Sequence, residues 1–211
     1  MPIVQTYQKA AYQICVWELT ETTTVLETLL GLSAIECTQQ SALFKHEPAY
    51  QNWLASRILL QSMTQQSYTA FIRSPAGKLQ LPQQAIEISI SHSAQWVAVA
   101  TSPISLGIDI QIPSTKLERI ASKYIAAQRL EELQQSVDYI ANLHWYWGIK
   151  EALFKAYGVG QIDFRKHLQI VPFELNSGQT VAQVVKSNFE GNYQIEYWKQ
   201  PNYYLCIAYA Q

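Results

Sequence analysis

Leu106, Ile108 and Ile110 alternate with Gly107, Asp109 and Gln111. Side chains on a strand point alternately to its two faces. The run therefore predicts a β-strand whose apolar residues face a core, with Asp109 and Gln111 together on the other face. Downstream, Trp147–Gly148–Ile149–Lys150–Glu151–Ala152–Leu153–Phe154–Lys155 has a helical period. Ile149, Leu153 and Ala156 suit a buried stripe, while Trp147, Glu151 and Lys155 recur one turn apart. Bringing Asp109 beside Glu151 would create a paired-carboxylate site, with Gln111 as a further oxygen ligand and Lys155 as a neighbouring cation. Hard oxygen donors of this kind suit Mg²⁺, which usually sits between one or two carboxylates and substrate phosphates. The Glu151–Lys155 spacing equally suits an exposed ion pair on a helix surface.

The remaining pattern mixes strands and helices. A strand is expected at Tyr12–Leu19, a helix at Thr20–Leu30 ended by Gly31, a weakly patterned helix near Ala34–Phe44, and a stronger one from Pro48 to Met63. Tyr68–Arg73 reads as a short strand, Ser74–Lys78 as a turn, and Ile86–Ser91 with Trp96–Ala100 as a hairpin. Beyond Pro103 come the Leu106–Gln111 strand, a helix over Lys116–Ala127, a loop around Glu131–Glu132, and the helix Asn142–Tyr157 ended by Gly158 and Gly160. Four strands complete the pattern: His167–Val171, Val181–Val185, Tyr193–Tyr197 and Tyr203–Tyr209, with turns at Asn176–Gly178 and Lys199–Asn202. Lys116, Arg119 and Lys123 form one basic stripe. Arg57 suits either a phosphate or a nearby carboxylate. Lys78 and His92 lie at turn and strand-end positions that can reach a cleft and equally suit solvated residues.

Composition narrows the classes. Apolar residues make up 48% of the 211 and charged residues only 15%, which excludes a disordered chain. A net charge of −1 gives no global attraction to nucleic acid or an anionic membrane, so an anionic ligand needs a local cluster of cations. The three cysteines are odd in number and widely spaced, which points away from a disulfide framework and towards a reducing cytoplasm. No signal peptide or membrane helix is expected, because no apolar stretch is long enough.

Gly107–Ile108–Asp109–Ile110 and the Trp147–Lys155 segment resemble the two signature motifs of the 4′-phosphopantetheinyl transferases. In the same order, Gly77–Lys78 is similar to that family's Gly-Lys-Pro turn and Ser89–Ser93 to its Ser-His-Ser segment. Trp53–Arg57 resembles a helix of the larger, monomeric subfamily, the surfactin-synthetase-activating type. The resemblance implies an α+β fold of two similar subdomains related by a pseudo-twofold, residues 1–105 and 106–211, each an antiparallel sheet with packed helices and with the site between them. It implies transfer of the 4′-phosphopantetheine arm of coenzyme A to a serine of an apo carrier protein, with release of adenosine 3′,5′-bisphosphate. Asp109, Gln111 and Glu151 would hold Mg²⁺. Asp109, Glu151 and Lys155 would be catalytic. Lys78, Ser91, His92, Arg57, Lys150 and Lys155 would contact coenzyme A, although Lys150 lies about 100° around the helix from Glu151. Partners would be coenzyme A and an acyl or peptidyl carrier protein, and not nucleic acid or membrane.

Three departures stand out. Gln111 occupies a position that often carries Glu, Ala49–Tyr50–Gln51 stands where relatives place arginines, and Leu79 replaces the proline of the turn. Gln111 and the absent arginines leave room for the first of two other readings, and the second requires the motif order to be coincidence. The first is a degenerate member that binds coenzyme A or a carrier without transfer, and the second is a Mg²⁺-dependent nucleotide hydrolase.

Overall fold

Period-two alternation builds two antiparallel sheets, each facing helices on one side. The computed structural model describes residues 3–174 and 177–211, so the Asn176 part of the expected turn lies outside the described residues. The first sheet contains β1 (Ile3–Gln8), β2 (Gln13–Glu18), β3 (Ile72–Arg73), β4 (Leu79–Gln80), β5 (Glu87–Ser93) and β6 (Trp96–Ser102), in the order β1-β2-β6-β5-β4-β3. The second contains β7 (Leu106–Gln111), β8 (Leu168–Ile170), β9 (Gln179–Lys186), β10 (Phe189–Lys199) and β11 (Tyr204–Ala210), in the order β7-β11-β10-β9-β8. The helices are α1 (Thr23–Leu30), α2 (Ala34–Ser41), α3 (Glu47–Thr64), α4 (Lys116–Tyr124), α5 (Ala127–Gln134) and α6 (Tyr139–Tyr157). The fold is α+β.

Alternate residues of each strand enter different cores. Cys15, Trp17, Val97 and Val99 pack against Leu26, Leu54 and Leu59 of α1 and α3. Their neighbours Ile14, Val16, Ala98 and Ala100 meet Leu106, Ile108, Ile110, Leu205 and Ile207 of the second sheet. Tyr204, Cys206 and Ala208 turn the other way, onto Ile149, Ala152, Leu153 and Ala156 of α6. The layers thus run helix, sheet, sheet, helix, with α4 and α5 packed on α6 through Leu117, Ala121, Tyr124 and Leu133. Each fully buried Leu or Ile contributes about 1.5–3 kcal/mol relative to exposure, so the sheet-to-sheet layer holds the halves together firmly. Among the described residues no helix is long and apolar enough to cross a membrane.

Local chemistry sets the boundaries. Gly31 and Gly158 end α1 and α6 in the left-handed region, φ 78° and 71°, where glycine carries no steric penalty. Ser33 and Glu36 close a reciprocal capping box on α2. Some expectations are corrected. Tyr68–Ala70 is a single 3₁₀ turn, leaving only Ile72–Arg73 extended. The stretch expected as a loop around Glu131–Glu132 is α5, and α6 starts three residues earlier than its periodicity suggests. β1, which the sequence reading left out, is an edge strand whose residues alternate between partly buried and exposed.

Candidate active site

β7 carries two kinds of neighbour. One edge pairs with β11 in register, Asp109 opposite Cys206. Along the other edge β5 approaches through hydroxyl groups. Ser89 Oγ accepts from the Ile108 amide at 3.0 Å, and Ser93 Oγ accepts from the Ile112 amide at 3.1 Å. Ser91, between them on the same face, donates to Asp109 Oδ1 at 3.0 Å. The alternation of serines on β5 therefore satisfies one backbone donor within β7 and one just beyond it, and leaves the middle hydroxyl for the carboxylate.

Helix α6 crosses the opposite face at very short range. A Cβ on Gly107 would lie 2.0 Å from the Ala152 carbonyl oxygen and 2.5 Å from the Ala156 nitrogen, and one on Gly148 would lie 2.8 Å from Cys206 Sγ. These two glycines set the helix-to-strand distance, and that distance brings Glu151 and Lys155 to Asp109. Lys155 Nζ donates to Asp109 Oδ1 (2.9 Å), Ser91 Oγ (2.9 Å) and the Ile108 carbonyl (2.8 Å). Burial pushes the Asp109 carboxyl above the ordinary carboxylate range, against the pull of Lys155 and Ser91. Burial and the Asp109 charge push Glu151 the same way, with Lys155 opposing.

Among the described residues Glu151 makes no hydrogen bond or ion pair, and no cluster of three His, Cys, Asp or Glu side chains is placed to hold a metal. Two mutually repelling carboxylates, one without a partner, fit a divalent cation that takes its remaining ligands from a phosphate and water. Gln111 lies on the same strand face. Its Nε2 donates to the His144 carbonyl at 2.8 Å, and its Oε1 has no partner among the described residues. His144 is fully buried, stacks on Tyr204, and accepts from the Ser114 amide at Nε2 (2.9 Å).

Beside this cluster opens a cavity of about 550 Å³ between α3, the turn after β3, β5 and the end of α6. Arg57, Arg73, Lys78, His92 and Lys155 all line it, and none of the described lining residues is acidic. Arg57 is buried over the Trp53 ring (5.5 Å), and among the described residues its one hydrogen bond is to Ser56 Oγ (3.4 Å). Burial, then the nearby Arg73 charge, lower its pKa to about 10. A buried guanidinium with no carboxylate partner is costly until an anion arrives. Lys78 follows Gly77, whose φ of +84° makes the tight turn, and its ammonium is paired with Glu87. The His92 side chain is exposed at the cavity mouth. Crowding by neighbouring atoms and the Lys155 charge still lower its proton affinity.

The expected site residues therefore fall into two groups. Asp109, Glu151, Lys155, Ser91 and Gln111 gather at β7 and α6, and Arg57, Lys78 and His92 line the adjoining cavity with Lys155. Lys150 belongs to neither. It is buried on another face of α6, donating to the carbonyls of Phe164 (2.6 Å) and Leu168 (2.8 Å). Its position in the sequence motif suggested a contact to coenzyme A; the 100° helical offset from Glu151 accounts for the difference. Arg73 was missed. Its exposed side chain donates to the Gly77 carbonyl (2.9 Å), and its only signal was its place just before the turn.

Residues 105–208 match the family model described as the 4′-phosphopantetheinyl transferase superfamily. Over 105 residues the chain is 30% identical to the 4′-phosphopantetheinyl transferase gsp of Aneurinibacillus migulanus. That stretch is 49% of this chain and 42% of the relative, so the match spans less than half the relative's length.

Proposed function

We propose, from the premise that this chain belongs to the 4′-phosphopantetheinyl transferase superfamily, that it moves the 4′-phosphopantetheine arm of coenzyme A onto a serine of an apo carrier protein. The observation that carries this reading is the acid-free cavity lined by five basic side chains and opening beside two repelling carboxylates. Coenzyme A is polyanionic around a pyrophosphate, and the cavity offers it basic side chains, of which Lys78 and Lys155 are paired with Glu87 and Asp109 beyond its described lining.

In this reading Arg57, Arg73, Lys78 and His92 hold the nucleotide end. Lys155, fixed by Asp109, Ser91 and the Ile108 carbonyl, meets the phosphate that is attacked. Such transfers depend on positioning and on charges fixed before reaction. Asp109 and Glu151 would hold Mg²⁺, with Gln111 Oε1 as a neutral third donor. A bound Mg²⁺ supplies charge neutralisation on the pyrophosphate and the leaving phosphate. Glu151, whose proton affinity is raised, is assigned to accept the proton of the attacking serine. The halves on either side of the sheet-to-sheet core correspond to residues 1–105 and 106–211, and the protein works as a monomer. The free thiols of Cys15, Cys37 and Cys206 fit a cytoplasmic protein.

The exposed stripe Lys116, Arg119 and Lys123 on α4 would receive the acidic helix that carrier proteins of this class present. Incubation with coenzyme A, Mg²⁺ and an apo carrier protein tests the proposal, and a carrier mass gain of about 340 Da, the formula mass of the arm, is the expected result. Coenzyme A binding without that gain would mark a degenerate binder, and coenzyme A breakdown without carrier would mark a hydrolase.

A further inference from the structure

The face of α6 turned away from Asp109 is built around one lysine. Trp147, Lys150 and Phe154 recur at helical spacing and together grip the segment from Gly158 to Leu168. The Phe164 ring sits 5.9 Å from Trp147 and 5.5 Å from Phe154, centroid to centroid. The Lys150 ammonium bridges the Phe164 and Leu168 carbonyls, at the middle of that segment and at its junction with β8. The segment has no regular structure before β8 and takes a left-handed conformation at Gln161, φ +61°. Its first residues, Gly158, Val159 and Gly160, line the cation-rich cavity. Among the described residues Lys150 is the one charged side chain of α6 that hydrogen-bonds to this segment. Lys150 is buried, so placing an ammonium there costs stability that the two carbonyls must offset.

We infer that Lys150 is a positioning residue: its ammonium staples the Gly158–Leu168 segment to α6 and so fixes the wall of the coenzyme A cavity without touching the ligand. The coenzyme part of this inference rests on the transferase reading above; the staple itself does not.

Lys150→Met keeps the aliphatic stem and removes both hydrogen bonds. In the ligand-free full chain, amide exchange over residues 159–167 should quicken by about tenfold or more, while β7 and β11 keep their protection. With a carrier substrate, KM for coenzyme A should rise several-fold and kcat should stay within about twofold of the parent. Unchanged exchange over 159–167 would overturn the staple. A collapse of kcat with unchanged KM would overturn the positioning role. If the variant does not fold, the ¹⁵Nζ resonances of the wild-type protein decide. Titration with coenzyme A should move Lys155 and leave Lys150 in place, and a comparable shift at Lys150 would mean direct contact. Should the parent neither bind coenzyme A nor modify a carrier, the transferase reading fails while the ligand-free exchange result still stands or falls alone.

Discussion

Glu151 shows how a single side chain trades stability for function. Its carboxyl is held above the ordinary range by burial and by Asp109, so the folded state grips that proton more tightly than the unfolded state does. Ionisation therefore costs the fold. The deficit is absent below the ordinary carboxylate range, grows as pH rises through it, and persists at neutral pH. Metal-free Glu151→Gln should thus melt a few degrees above the parent at pH 7 and at the same temperature in acid, while losing its Mg²⁺ response. Calorimetry in the presence of a chelator checks this, and equal melting temperatures at pH 7 would disprove the repulsion. Gln111 poses the converse case. Gln111→Glu adds a charge that should tighten Mg²⁺, yet it sets an acceptor against the His144 carbonyl and removes a donor. We expect the metal-free variant to lose about 1–2 kcal/mol in urea unfolding and to regain stability on adding Mg²⁺. A variant as stable as the parent without metal would show that the tie to His144 contributes nothing.

At the scale of elements, the strand and helix that matter most were the easiest to read. The alternation in Leu106–Gln111 predicts β7 to the residue, because one face meets the other sheet and the opposite face meets α6. The helical period of Ile149, Leu153 and Ala156 places Glu151 and Lys155 correctly on α6. Patterns failed where tertiary packing decides. α5 is short and largely exposed, with Leu133 as its one buried residue. β1 is an edge strand that, among the described residues, pairs with β2 alone. Lys150 is indistinguishable in sequence from a ligand-binding lysine until the segment it holds is placed. Nor does a sequence reveal that Ser89 and Ser93 serve backbone amides. Among the glycines the tightest approach is at Gly107. Gly107→Ala must push α6 away from β7, at a cost of about 1–3 kcal/mol from overpacking. Because Asp109 sits on one element and Glu151 on the other, transfer should fall far more than stability does. Thermal melting with turnover measured on the same sample distinguishes this outcome from simple unfolding, and normal turnover would mean the spacing is not critical.

For the whole molecule, near-neutral charge makes local fields decisive. The cavity gathers five basic side chains, and α4 exposes three more, Lys116, Arg119 and Lys123. α4 buries Leu117, Ala121 and Tyr124, so its basic residues can change without disturbing packing. Reversing the charges of Arg119 and Lys123 should raise KM for the carrier protein and leave KM for coenzyme A alone. The parent's carrier KM should also climb with salt, because such charges act through association rate and are screened within about 10 Å at 0.1 M. Steady-state kinetics on both substrates at two salt concentrations would settle the matter, and an unaltered carrier KM would place docking elsewhere.

The pairing of β7 with β11 also dictates an order of events as the chain folds. Asp109 and its cross-strand neighbour Cys206 are separated by about a hundred residues, so their ladder closes a very long loop and gains nothing until that entropy has been lost. The β5–β6 hairpin and the β9–β10–β11 meander draw on contacts much nearer in sequence, whereas the β2–β6 ladder of the first sheet, with Val16 opposite Ala98, closes a loop almost as long. A nascent or refolding chain would therefore form these local hairpins well before its carboxylates are in place. Catalytic competence would be a late property, gained only once β11 has slotted between β7 and β10. A partly folded chain would expose the Leu106, Ile108 and Ile110 face to aggregation for as long as that step takes.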